Sequence, residues 1–135
     1  MTRAFKSRMA ELDTLVLKCR GREPFCSGVV RDTSNRSNRD WPWWSVEVEH
    51  SQVDGAENRR ATAMVTLAST QAGEPGAFQA EWAASIWRST GGAATETIRG
   101  RIDVPWQRAT ADSLSAIVTA LLDEAKAAIP AWAKA

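Results

Sequence analysis

Residues 43–50 read Trp43-Trp44-Ser45-Val46-Glu47-Val48-Glu49-His50, with Trp44, Val46 and Val48 on every second position and polar or charged side chains between them. A period of two marks a strand with one buried face. The alternation returns downstream at Ala61, Ala63, Val65 and Leu67, then at Phe78, Ala80, Trp82, Ala84 and Ile86, then at Ile98, Ile102 and Val104. Turn residues separate the segments: Asp54-Gly55, Gly73-Glu74-Pro75-Gly76 and Gly91-Gly92. Three turns joining four such strands predict an antiparallel meander over 41–105, with Pro42 at the start of the first strand and Pro105 stopping the last.

Helical spacing flanks the meander on both sides. Leu114, Ile117, Val118, Leu121, Leu122, Ala125 and Ile129 share one helical face, and Thr110 with Asp112 supplies an N-cap and a favourable first-turn charge, which predicts a C-terminal helix over 110–129. Phe5, Met9, Leu12, Val16 and Cys19 recur at steps of three and four with Gly21 behind them, which predicts an N-terminal helix. The competing reading makes Thr14 to Cys19 a short strand and Gly28 to Arg31 another. Arg31 to Asp40 holds no apolar residue and reads as a polar loop. The fold class expected is therefore α+β: a two-layer sandwich of a four-stranded antiparallel meander with both helices on one face, the whole of 1–135 forming one domain.

At 135 residues, 44% hydrophobic and 24% charged, the chain has the composition of a soluble globular protein. No apolar run is long enough to span a bilayer, and the N-terminus has no apolar stretch behind Arg3, Lys6 and Arg8. A cytoplasmic location without membrane attachment is the expectation, and the Ala, Arg and Trp usage suggests a bacterial source. The net charge of +1 conceals a division. Residues 1–40 carry nine Lys or Arg against five Asp or Glu, a balance of +4, and residues 41–135 carry eight against eleven, a balance of −3. Cys19 and Cys26 are the only cysteines and His50 the only histidine, so no metal centre and no cofactor are expected.

The chain lacks a G-x-S-x-G elbow, a phosphate-binding Gly-rich loop with Lys, H-E-x-x-H and a dinucleotide fingerprint, which weighs against an enzyme. The polar face of the predicted sheet offers more. Glu47, Glu49, Thr62, Thr66, Gln79, Glu81, Arg99 and Arg101 point away from the core, and Glu81 is placed to pair with Arg99 or Arg101. Trp43, Met64 and Trp87 share that face, in a chain with seven Trp and no Tyr. Aromatic anchors with a polar rim are the anatomy of a protein interface. The leading expectation is a protein-binding module of the inhibitor, immunity, chaperone or assembly-factor type, with Trp43, Met64, Trp87, Arg99 and Arg101 as contacts and the sheet edge available to a second copy as a homodimer.

Two alternatives come from other classes. Arg31, Arg36 and Arg39, followed by Trp41, Trp43 and Trp44, interleave basic and aromatic side chains as nucleic-acid binders do. The helix–strands–helix order is similar to that of double-stranded RNA-binding domains, but the last helix here opens Thr110-Ala111-Asp112-Ser113, without the basic residues phosphate requires. The other alternative is a small-molecule or enzymatic site near His50 and Trp82, between the last helix and the sheet.

Overall fold

The computed structural model describes residues 3–25, 28–34, 43–54, 57–70, 73–88, 96–102 and 110–129. Helix α1 (Arg3–Cys19) is followed by strands β1 (Val29–Ser34), β2 (Trp43–Asp54), β3 (Glu57–Ser69), β4 (Pro75–Arg88) and β5 (Glu96–Ile102), then by helix α2 (Ala111–Ala127). The strands pair antiparallel in sequence order, β1-β2-β3-β4-β5. The two-layer α+β meander between terminal helices is the architecture the periodicity implies.

The sheet carries one strand more than the alternation reveals. Val29 to Ser34 pairs with β2 from Glu49 to Trp44, so Arg31 to Ser34, read as loop from composition, belongs to a strand. The physical reason is position: β1 is an edge, where charged and polar residues are tolerated and discourage further pairing. The remainder of the polar segment, 35–40, lies outside the described residues, as do Trp41 and Cys26.

α1 buries the stripe read from its spacing, Phe5, Met9, Leu12, Val16 and Cys19, together with Leu15. It ends at Gly21, whose φ of 87° suits a residue without a Cβ. α2 begins in a capping box: the Ser113 N–H donates to Thr110 Oγ1 at 3.1 Å, and the Thr110 N–H donates to Ser113 Oγ at 2.8 Å. The β3–β4 turn closes with Thr70 N–H to Glu74 O at 2.7 Å and Gly73 N–H to Thr70 O at 2.8 Å, Gly73 sitting at φ 81°.

The core joins α1 and α2 to the even-numbered face of β2 and β4 and the odd-numbered face of β3: Trp44, Val46 and Val48, Ala61, Ala63, Val65 and Leu67, then Phe78, Ala80 and Ala84. Small side chains at the sheet centre let Leu114, Val118, Leu121 and Leu122 of α2 approach. Trp44 locks α1 in place, its indole N–H donating to Asp13 Oδ1 at 2.9 Å. Trp82 packs against this core, and its indole lies over Gly100, where a Cβ would collide with the ring.

Cys19 is fully buried and free, its thiol 3.7 Å from the Ala111 carbonyl and accepting from the Ser115 hydroxyl at 3.8 Å. Burial raises its pKa above the ordinary thiol range, the Ser115 hydrogen bond and the Arg22 charge opposing and Asp112 adding. A thiol whose folded pKa is raised ionises first in the unfolded chain, so its contribution is complete below the unfolded value, about 8.5, and is lost as pH rises past it. Urea unfolding between pH 7 and 10 should show stability falling on the alkaline side, with a shallower fall in Cys19→Ala; equal slopes would contradict this.

Candidate functional site

The helix-free face of the sheet is organised in rows set by the register. Glu47, Met64, Glu81 and Arg101 form one row across β2 to β5, and Glu49, Thr62, Ala83 and Arg99 the next. These residues face away from the core because each strand alternates and its partner face carries the apolar set. At the centre of the face, Glu47, Thr62, Met64, Glu81, Ala83, Arg99 and Arg101 line a depression of about 420 Å3.

Its charges fall into two groups. Glu49 is 5% exposed although it stands on the face opposite the core. Arg31 of β1 reaches its Oε2 at 3.4 Å and Arg60 of β3 its Oε1, so two guanidiniums from neighbouring strands close over one carboxylate. Glu81 pairs with Arg101 at 3.2 Å, the cross-strand pairing expected from the alternation. Glu47, half-buried, and Arg99, exposed, form no ion pair among the described residues.

The Glu49 cluster buries a carboxylate that the alternation places only on the side away from the core. Sequence alternation assigns Glu49 to a face but says nothing of what covers it; two arginines, one from an edge strand hidden in polar sequence, do so. Glu49→Ala leaves those cations facing each other without their counter-ion and should cost about 2 kcal/mol, less than a fully buried pair because both arginines are partly exposed. Urea midpoints of the two proteins measure this, and coincident midpoints would refute it.

Of the five contacts expected from sequence, three meet. Met64, Arg99 and Arg101 line the depression. Trp43, half-buried, sits opposite Ala68 at one end of the sheet, and Trp87 opposite Asn58 at the other. Ten residues of β2 separate those two ends, about 34 Å of strand, so the two tryptophan positions stand at opposite ends of the sheet. The Trp87 side chain lies outside what is described, as do Arg36 and Arg39 in full.

The other alternative site separates as well. His50 is 9% exposed, and its Nε2 lies 3.1 Å from the Pro24 carbonyl, which can only accept, so Nε2 carries a proton. A cleft of about 290 Å3 beside it is lined by Glu23, Pro24, Thr119, Leu122, Asp123 and Lys126. Trp82 lies two strands away, in the neighbouring row with Val48, Ala63 and Gly100, and does not share that cleft. No group of three or more His, Cys, Asp or Glu among the described residues is placed to hold a metal ion. No helix among them is long and apolar enough to cross a membrane.

Fold and face together define a two-layer α+β protein with one sheet surface given to the core and the other carrying no helix among the described residues. No protein-family model, curated protein or solved structure matches the chain.

Proposed function

We propose that this chain is a small cytoplasmic protein-binding module, of the kind that serves as an inhibitor, immunity protein, chaperone or assembly factor, acting as one domain through the helix-free face of its sheet. The observation that carries the reading is the depression around Met64, where an apolar side chain is ringed by carboxylates and guanidiniums on a rigid surface of paired strands. An apolar centre within a polar rim matches protein interfaces, and arginine is a favoured contact there. Its carboxylates disfavour phosphate, and Arg31, central to a nucleic-acid reading, is engaged by Glu49.

The test is affinity capture from a lysate of the source organism at low and high salt, followed by reconstitution from purified components. A single protein that re-forms a stoichiometric complex with the chain is the expected result. Nucleic acid released as salt rises would transfer the reading to the basic N-terminal third. Self-association alone would make the sheet edge or face a homodimer contact.

A second reading rests on the cleft beside His50, which suits a small polar molecule held between Asp123 and Lys126. Filling it with Thr119→Trp separates the two readings: the substitution should leave protein capture intact, and its loss would move the interface to that end of α2.

A further inference from the structure

We propose that the depression on the open sheet face selects a partner segment carrying both signs of charge: a carboxylate directed to Arg99, a cation directed to Glu47, and an apolar side chain seated on Met64 between them. This rests on the reading of that face as a protein-binding surface and specifies what the surface recognises.

The inference follows from which charges are already spent. Glu49 is held by Arg31 and Arg60, and Glu81 by Arg101. Glu47 and Arg99 are the two charged groups lining the depression that form no ion pair among the described residues. The register separates them by three strand spacings and one row: Glu47 pairs with Met64, Met64 with Glu81, and Ala83, the next outward residue of β4, with Arg99. With strands about 4.8 Å apart and rows about 7 Å apart, the two backbone positions lie roughly 16 Å from each other. An extended segment of about five residues covers that span.

Each exposed ion pair adds little affinity by itself, and placing opposite charges at the two ends of one depression serves a different end. It fixes the direction in which a segment lies and rejects segments of uniform charge. A strongly acidic ligand would gain at Arg99 and be repelled at Glu47; a strongly basic one would meet the reverse. Met64 supplies the non-directional contact, and its flexible thioether adapts to differing apolar side chains.

The experiment is selection of a random 12-residue peptide library displayed on phage against the immobilised full chain, with binding of synthesised winners measured on variants. Enriched peptides should carry an acid and a base at a recurring separation with an apolar residue between. A winner should bind Arg99→Glu about tenfold more weakly than wild type. The same peptide with its acid and base exchanged should prefer the double variant Glu47→Arg/Arg99→Glu. Winners of uniform charge, or winners insensitive to Arg99→Glu yet lost on Met64→Arg, would overturn the two-sign inference and leave the face as a binding surface. Failure to enrich any peptide sensitive to Met64→Arg would count against both.

Discussion

Replacing Trp44 with alanine is expected to lower the unfolding free energy by about 3–5 kcal/mol, a large share of the stability of a domain this size. Trp44 is 1% exposed and is the largest fully buried side chain among the described residues. It packs on the core face of β2, and its indole N–H donates a hydrogen bond that ties α1, through Asp13, to the sheet. Alanine therefore removes both apolar burial and a link between layers, and leaves a cavity that close-packed neighbours fill only in part. Trp44→Phe keeps most of the volume and loses the bond to Asp13, so its cost should be clearly smaller. Urea unfolding followed by circular dichroism gives both values. A loss below about 1 kcal/mol for Trp44→Ala would mean that α1 is held without this contact.

The sheet and both helices are legible in the chain because burial imposes a period, two for strands and three to four for helices, and the core residues obey it from Phe5 to Ile129. β1 is legible only at its start, where the competing reading places a short strand at Gly28 to Arg31, because an edge strand need bury neither face completely and Arg31-Asp32-Thr33-Ser34 has no period to display. The site divides in the same way. Alternation correctly assigns Met64, Arg99 and Arg101 to the open face, and pairing of Glu81 with an arginine follows from neighbouring strands.

Alternation is silent about position along a strand, which is why Trp43 and Trp87 enter the same candidate surface and then part. β2 and β4 run in the same direction in this meander, so the start of β2 and the end of β4 lie at opposite ends of the sheet. His50 and Trp82 part for a related reason: both stand on the core side, in different rows of strands two apart. The covering of Glu49 needs three strands in register, and one of those strands shows in the sequence only as the short competing reading at Gly28 to Arg31.

The central claim is that the open sheet face, and not the helical layer, receives the partner. The most direct measurement is a pair of binding isotherms with the reconstituted partner, one for Met64→Arg and one for Leu17→Arg. Met64 lines the depression and is half-buried, so an arginine there places a third guanidinium near Arg99 and Arg101 and obstructs whatever rests on the floor. Leu17 is 62% exposed on α1 and is the matched substitution of an apolar residue by arginine on the other layer. With both variants folded by circular dichroism, Met64→Arg should weaken binding by about 30-fold or more, as at an interface hot spot, and Leu17→Arg should leave it within about twofold. Binding that survives Met64→Arg and fails with Leu17→Arg would contradict the account and place the interface on the helices.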